Sequence, residues 1–387
     1  IIILSLIVSV VLWYQAKLFL DLPLGSEDAR LYVSQLSGIL AFVLISINFI
    51  LATRFTFLEK VFGGLDDVYR VHSTIGKVAF TFMLAHPIFH IIRVFGEWNA
   101  VKLYILPGSI DYYNYGIYAV YGFAFLIAIS IVRIIPYHIW KYSHVLLGIP
   151  FVLTILHIFL GNGDGMEFVP LYAWYILFSI LGVVSYLYKA FIYPHTNTYN
   201  YKITKVEDMG HGVVNLEMEP ENRRLYFVAG QFAFFAIKNN KNLNPEPHPY
   251  TISSAPHEAT LRVSIKDLGD WSGSAKNANK GDKVVITGPY GQFHSKFVAN
   301  RKKEIWIGGG VGITPFLSIM REYSYTKPNK EVFMYYCTNH EEDSVFQKEI
   351  EKHAGKAEQF NLRVSCRYDD VHGYISAKDV VHDVKNL

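Results

Sequence analysis

The chain has 387 residues, 51% of them apolar and 16% aromatic, with a formal net charge of +3 and a pI near 8.5. That length allows two or three domains, and so mild a charge, with no Lys/Arg block and no zinc-finger spacing, argues against a nucleic-acid partner. Only Cys337 and Cys366 occur, both in the later half, so no disulfide framework is expected and that half suits a reducing compartment.

Up to about Tyr193 the sequence is built of long apolar runs, and beyond it the apolar residues come in short alternating segments. The break reads as a membrane-to-cytosol boundary. Six spans of membrane length can be drawn: Ile1 to Leu20, Leu31 to Leu51, Val71 to Phe95, Gly116 to Ile135, Tyr137 to Leu160 and Val169 to Tyr193. The first residue is not Met and the first run lacks a small-residue cleavage site, so preceding sequence is expected and a cleaved signal peptide is not. Turns after the second, fourth and sixth spans carry Arg54, Lys60, Arg70, Arg133, Lys141 and Lys189. Those after the first, third and fifth carry Asp21, Glu27, Asp28, Glu97, Asp111, Asp164 and Glu167 with fewer cations. Basic loops favour the cytoplasmic face, so the former set and the later half are expected inside, and spans three and five run the same way.

Those two spans hold four histidines. His72 and His86 stand fourteen residues apart on the third, His144 and His157 thirteen apart on the fifth. At about 1.5 Å per residue the separations are roughly 21 and 20 Å, which puts one imidazole near each face of a hydrocarbon layer about 30 Å thick. One buried histidine is usually a hydrogen-bonded core residue. Four at matched heights read as metal ligands, His72 with His144 near the inner face and His86 with His157 near the outer, and imidazole is a common axial ligand of haem iron. Fourteen residues keep one helical face, whereas thirteen do not; Pro150 can kink the fifth span and change its phase. His90 and Arg93 follow His86 at i+4 and i+7, on one face at the outer end. His90 is a candidate for the place where an acceptor arrives and Arg93 for a haem propionate, against the plainer reading that both reach the headgroups. Trp13, Trp98, Trp140 and Trp174 near span ends fit an aromatic belt.

After His195 the segments YKITKVEDMG, GVVNLEMEP, QFAFFAIKN, TLRVSIKDLG and KVVITGPYG predict an antiparallel barrel. Within it HPYTISS, His248, Pro249, Tyr250, Thr251, Ser253 and Ser254 among its residues, offers an aromatic to stack on a flat ring and hydroxyls for ribityl and phosphate oxygens. SIKDLGDWS adds Lys266, Gly269, Trp271 and Ser272, a cation beside a turn that can aim backbone N–H groups at a pyrophosphate. Then EIWIGGGVGITPFLSIMREY predicts strand, glycine-rich turn and helix. Gly308, Gly309, Gly310, Val311, Gly312 and Ile313 form the turn, and Thr314 and Pro315 open a helix whose N-terminus favours phosphate. The strands EVFMYYCTN, ending at Cys337, and NLRVSCRYD, with EDSVFQKEIEKHA as a helix between them, complete a parallel β/α pattern.

In this combination the sequence resembles the ferric reductase and NADPH oxidase superfamily, and bacterial NADPH oxidase homologues in particular, over nearly its whole length. The resemblance rests on the two histidine spacings, HPYTISS, SIKDLGDWS and GGGVGITP. It implies a multi-domain chain: a six-helix transmembrane haem-binding bundle over residues 1–195, then a ferredoxin-NADP reductase-like module with a FAD-binding β-barrel over 196–298 and an NAD(P)H-binding α/β domain over 299–387. It also implies two b-type haems with His72/His144 and His86/His157 as axial ligands, and electrons passing from NADPH or NADH through FAD and both haems to O2 outside the cell, giving superoxide near His90. A ferric or cupric metalloreductase with the same relay is the alternative, or an electron donor to a quinone or partner protein. The expected setting is a multi-pass cell-membrane protein with its flavin and nucleotide domains in the cytoplasm and no obligate protein partner. The family continues to a Cys-Gly-Pro turn and a terminal aromatic, whereas this chain ends VVHDVKNL, so further residues are expected. Asn339, His340, Glu341 and Glu342 stand where relatives often have an Arg for a 2′-phosphate. Their carboxylates suit a 2′-hydroxyl, so NADH is expected to serve beside NADPH, with Arg363 or Arg367 as substitutes.

Overall fold

The structure, a computed structural model, describes residues 1–22, 25, 28–131, 142–161, 166–294, 302–354 and 360–385. Glu27, Arg133, Trp140, Lys141, Asp164 and the expected span limits Ile135 and Tyr137 lie outside the described residues. The chain divides into two compact units, Ile1–Leu58 with Asp66–Thr196, and Glu59–Leu65 with Asn197–Leu387.

The first unit is helical. Its elements are α1 (Ile2–Phe19), α2 (Ala29–Ala52), the start of α3 (Thr56–Phe62, of which Glu59 onward falls in the second unit), α4 (Leu65–Arg93), α5 (Trp98–Ile105), α6 (Asp111–Ile131), α7 (Gly148–Leu160) and α8 (Val169–Leu187). Six helices are long and apolar enough to cross a membrane: α1, α2, α4, α6, Tyr142–Leu160 and Val169–His195. A helix is the answer to a solvent that satisfies no backbone group, because every internal N–H and C=O bonds within the segment. Asp28 caps α2 by accepting from the Arg30 backbone N–H at 2.9 Å. The third span starts earlier than its apolar run. Asp66 and Asp67 occupy the first turn of α4, where acidic groups favour the helix dipole, and Arg70 bonds Asp67 at 2.5 Å.

Pro150 has the effect anticipated for the fifth span. Residues 142–145 are helical, 146–147 form a turn, and α7 restarts at Gly148. A proline ring clashes with the carbonyl four residues earlier, here that of Leu146, and the break falls at that carbonyl. At one end of this unit, Arg54 donates to the Tyr193 hydroxyl at 3.1 Å and Lys189 lies 3.5 Å from the centre of the Tyr193 ring.

The second unit carries two sheets. The first is antiparallel, ordered β4-β3-β6-β1-β2-β5, from β1 (Thr198–Gly210), β2 (Val213–Pro220), β3 (Phe232–Lys238), β4 (His248–Thr251), β5 (Leu261–Lys266) and β6 (Lys283–Tyr290). Tyr201, Ile203, Leu216, Met218, Phe235 and Ile286 are among the alternating side chains that fill it. The second is parallel, β7 (Lys303–Gly309), β8 (Lys330–Thr338) and β9 (Phe360–Tyr368), with α9 (Asp270–Ser274) before it in sequence and α10 (Thr314–Thr326), α11 (Gln347–Ala354) and α12 (Ala377–Lys385) as its helices. The helix expected over EDSVFQKEIEKHA is shorter than drawn. Glu341–Asp343 form a single tight turn and Phe346, 1% exposed, enters the core before α11 begins. The fold is therefore the one expected from the sequence: six membrane-length helices, an antiparallel flavin-type sheet, and a parallel nucleotide-type sheet.

Candidate functional site

The four membrane histidines come together in two pairs. The ring centres of His72 and His144 are 6.1 Å apart, and those of His86 and His157 are also 6.1 Å apart. Two metal–nitrogen bonds of roughly 2 Å, plus about an ångström from each bonding nitrogen to its ring centre, sum to about 6 Å. Each pair thus has the spacing of two imidazoles on opposite sides of one metal ion. Among the described residues no group of three or more His, Cys, Asp or Glu could hold a metal. Pairs alone suit an ion whose other ligands belong to a macrocycle, as in haem.

In three of the four rings the second nitrogen settles which one is available. His72 Nδ1 lies 3.2 Å from the Asn48 carbonyl, His86 Nδ1 2.8 Å from the Ser34 carbonyl, and His157 Nδ1 2.7 Å from the Tyr112 carbonyl. A carbonyl only accepts, so these Nδ1 atoms carry the proton and each Nε2 presents its lone pair. His144 Nδ1 meets the Ser130 hydroxyl at 3.2 Å. The acceptors come from two neighbours: α2 backs α4, and α6 backs the fifth span. Ser34 and Asn48 are fourteen residues apart, as His72 and His86 are, and the helices run antiparallel. Glycine makes the approach possible. A Cβ on Gly38 would stand 2.8 Å from His86 Nδ1, and one on Gly116 2.8 Å from His157 Nδ1.

A cavity of about 580 Å³ surrounds the His86/His157 pair. His90 lines it, stacked on Tyr104 with ring centres 5.0 Å apart and edge-on to His86 at 5.1 Å. Its Nδ1 is buried with no hydrogen-bond partner, which aims an unsatisfied polar atom at this region. Arg93 is exposed at the end of α4 and is not among the described residues that line the cavity. The sequence reading missed Ser34, Asn48, Tyr112, Ser130, Gly38 and Gly116. The repeated fourteen-residue interval was a signal for the first two; the carbonyl of Tyr112 has none.

In the second unit, HPYT forms β4 against β3, with Pro249 opposite Phe234 and Thr251 opposite Phe232. His248 stacks on Trp271 at 4.3 Å and Tyr250 lies 5.7 Å from Trp271, so three rings form one surface. Burial pushes the Tyr250 hydroxyl up to about 12 and lowers His248, whose Nε2 is buried without a partner. Ser253 and Ser254 differ from expectation. Both are fully buried; the Ser253 hydroxyl donates to the Arg262 carbonyl at 3.2 Å, and Ser254 Oγ accepts from the Arg262 N–H at 3.0 Å. They fasten the loop to β5. Ser272 is similarly occupied, accepting from Leu268 N–H at 3.0 Å and donating to the Gly269 carbonyl at 3.1 Å. The half-buried Thr251 keeps the hydroxyl role open.

The glycine-rich turn joins this surface. β7 ends at Gly309, Gly310–Ile313 make one tight turn, and α10 begins at Thr314 with Pro315 in its first turn. Gly308 is needed because a Cβ there would strike Ile313, and Gly310 because its φ is +50°. A Cβ on Gly309 or Gly312 would meet nothing within 4 Å, so both face open space. Lys266 Nζ is 4.0 Å from where a Cβ on Gly310 would lie, which brings a cation from the barrel to the turn. Val311 accepts from the Thr314 hydroxyl at 3.0 Å. Cys337 pairs in register with Gly309 on one side and Arg367 on the other, and its half-buried thiol is pushed up by burial. The flavin-type and nucleotide-type parts are tied directly: Ser318 Oγ donates to the Ser254 carbonyl at 2.7 Å, and buried Arg321 donates to the Ser253 carbonyl while pairing with Glu349.

Comparison with known proteins finds three family models along the chain. Residues 37–155 match the ferric reductase like transmembrane component, 198–294 an FAD-binding domain, and 306–376 the oxidoreductase NAD-binding domain. A ferredoxin NADP+ reductase structure from Neisseria gonorrhoeae is similar at 17% identity and a TM-score of 0.41, covering 49% of this chain and 77% of that one. Dual oxidase 1 of Homo sapiens is 24% identical over 324 residues, 75% of this chain and 20% of that protein. Ferric reduction oxidase 7, chloroplastic, of Arabidopsis thaliana is 23% identical over 295 residues, 68% of this chain and 36% of that protein. The chain thus spans about a fifth to a third of these curated relatives. The three family models, in this order after and across membrane-length helices, make the chain a member of the ferric reductase and NADPH oxidase superfamily.

Proposed function

We propose that this chain is a transmembrane NAD(P)H-dependent oxidoreductase of the flavocytochrome b type, with O2 as acceptor and superoxide as product. The observation that carries the reading is the pair of 6.1 Å imidazole couples, with three of the four Nδ1 atoms tied to helix carbonyls and the fourth to the Ser130 hydroxyl. His72 with His144, and His86 with His157, would each hold one haem b. FAD would lie on the Tyr250 and Trp271 surface beside Lys266, and NADPH or NADH on the turn from Gly309 to Pro315. When bound, these groups supply hydride acceptance and single-electron transfer.

The residues supply position and environment. A proton fixed on Nδ1 by a carbonyl keeps Nε2 basic and the ring oriented, and apolar walls exclude water. A haem held there would supply single-electron transfer to O2, and the unpartnered Nδ1 of His90, which lines the same cavity, would be placed to hydrogen-bond the acceptor. The basic loops support a cytoplasmic flavin and nucleotide unit, with the His90 end outside. Reduction of ferric or cupric complexes at the same place is the second reading, supported by likeness to the plant ferric reduction oxidase.

The test is the reduced-minus-oxidised visible spectrum of the purified protein with haem and flavin counted per chain. Two b-type haems and one FAD, reduced by NAD(P)H without air and reoxidised by air, are expected; no haem overturns the reading. Cytochrome c reduction abolished by superoxide dismutase supports O2, whereas undiminished anaerobic activity with a ferric chelate supports the metal.

A further inference from the structure

Tyr104 stands near the C-terminal end of α5, the short helix that follows the third span. With Leu103 and Ile105 it lines the cavity of about 580 Å³ that also takes in His86, His90 and His157. Its ring is stacked on that of His90, with centres 5.0 Å apart and planes 5° from parallel. Tyr113 of α6 meets the Tyr104 ring edge-on at 5.5 Å. The end of α5 is fastened to α6 as well. The Tyr121 hydroxyl donates to the Ile105 carbonyl at 2.6 Å, and the Asn114 amide accepts from the Gly108 N–H at 2.7 Å and donates to the Gly108 carbonyl at 2.8 Å.

The His90 ring is thus parallel to Tyr104 and nearly perpendicular to His86, at 85°. Its Nδ1 is nevertheless buried without a hydrogen-bond partner. A buried nitrogen in that state gains a hydrogen bond by turning toward one, so a ring free to rotate would not stay there. Ring contacts, not polar ones, keep it in place. His86 belongs to the same helix as His90, whereas Tyr104 comes from another, and offset parallel rings at this separation attract. We propose that Tyr104 is the positioning residue of His90, its stack fixing the imidazole with Nδ1 left open for the acceptor. The inference rests on the reading of His90 as the group that hydrogen-bonds the acceptor. It also gives one turn of α6 two tasks: the Tyr112 carbonyl meets His157 Nδ1, and the Tyr113 ring meets Tyr104.

The experiment measures superoxide formation by the purified full-length holoprotein as O2 is varied, with haem and flavin counted in every variant. Tyr104→Leu should lower kcat/KM for O2 by about two- to tenfold, the worth of one aromatic contact, with both haems retained. Tyr104→Phe, which keeps the stack, should recover that loss. His90→Ala should lower kcat/KM at least as far, and Tyr104→Leu added to it should cost nothing more, since no imidazole is left to position. A structure of the Tyr104→Leu variant should show the His90 ring turned and its Nδ1 hydrogen-bonded. Tyr104→Met carries the same expectations if the Leu variant does not retain its haems. An unchanged kcat/KM in these variants, an additive double variant, a Phe variant that recovers nothing or an unmoved His90 ring overturns the assignment alone. An unchanged kcat/KM in His90→Ala overturns the reading of His90, and a wild type that forms no superoxide overturns the proposed acceptor; the assignment falls with either.

Discussion

The helical unit and the two-sheet unit build sites by opposite means. In the helical unit the candidate ligands sit on α4 and the fifth span, and three of the four are supported by backbone carbonyls of α2 and α6, the fourth by the Ser130 hydroxyl. A helix carbonyl has a second lone pair after the ladder bond, so the imidazole N–H uses an acceptor the helix already exposes. In the two-sheet unit the candidate residues lie at strand ends and turns, and several of their polar atoms fasten loops, as Ser253, Ser254 and Ser272 do. The lesson is that an apolar solvent forces site geometry into helix register, whereas an aqueous one leaves it to short-range turn chemistry.

Removing one ligand breaks the comparison most severely. His157→Ala is expected to lose one haem of two and bring acceptor reduction to background, while NAD(P)H still reduces the flavin; haem per chain and anaerobic flavin bleaching check it. If register is what the helical unit depends on, a single methyl must also be felt. Gly116→Ala places a Cβ 2.8 Å from His157 Nδ1, so the ring or the helix must shift. Haem affinity at that pair should fall about 10- to 100-fold, as for other losses of ligand support, read by haem transfer to apomyoglobin. Unaltered affinity would mean that α6 yields without cost and that the close approach is not what orients the ring.

How much was legible follows the same division. The histidine pairs could be read because each carries a residue type at helical spacing, and the interruption near Pro150 because a proline's clash with the carbonyl four residues before it is local. Ser34, Asn48 and Tyr112 act through backbone carbonyls, which any residue would provide, so only the spacing of the first two could have betrayed them. In the two-sheet unit, GGGVGITP was readable because tight turns demand particular residues. Whether a serine hydroxyl faces a ligand or its own loop is decided by how the chain folds back on the next strand, β5 in the case of Ser253 and Ser254.

Two variants of the second unit sharpen the contrast. Arg321→Met removes the buried guanidinium that links the Ser253 carbonyl to Glu349. Because Glu349 is about a quarter exposed and can rehydrate, the loss is expected at about 1–3 kcal/mol, below that of a wholly buried pair. A lowered urea midpoint for the two-sheet unit, with haem content unchanged, is the expected result. Trp271→Ala removes the ring that joins His248 and Tyr250 into one surface. An aromatic contact of about 0.5–1.5 kcal/mol predicts FAD binding weakened roughly two- to tenfold, measured by flavin fluorescence on titration.

The smallest effect lies at the exposed end of the parallel sheet. His340 Nδ1 is 2.9 Å from Asp370 Oδ2, and that hydrogen bond, helped by the charges of Asp370, Asp343 and Glu342, raises the imidazole above its ordinary value near 6.5. A group whose folded pKa is raised holds its proton more tightly in the folded state. Its contribution is therefore complete below the ordinary value and disappears as pH climbs through the raised one. Asp370→Asn should lower the urea midpoint slightly at about pH 6 and leave it unchanged at about pH 9, where His340 is neutral in both proteins. The pair is solvent-exposed, so the low-pH difference should shrink in high salt. An equal loss at both pH values would show that the Asp370 carboxylate contributes independently of the charge on His340.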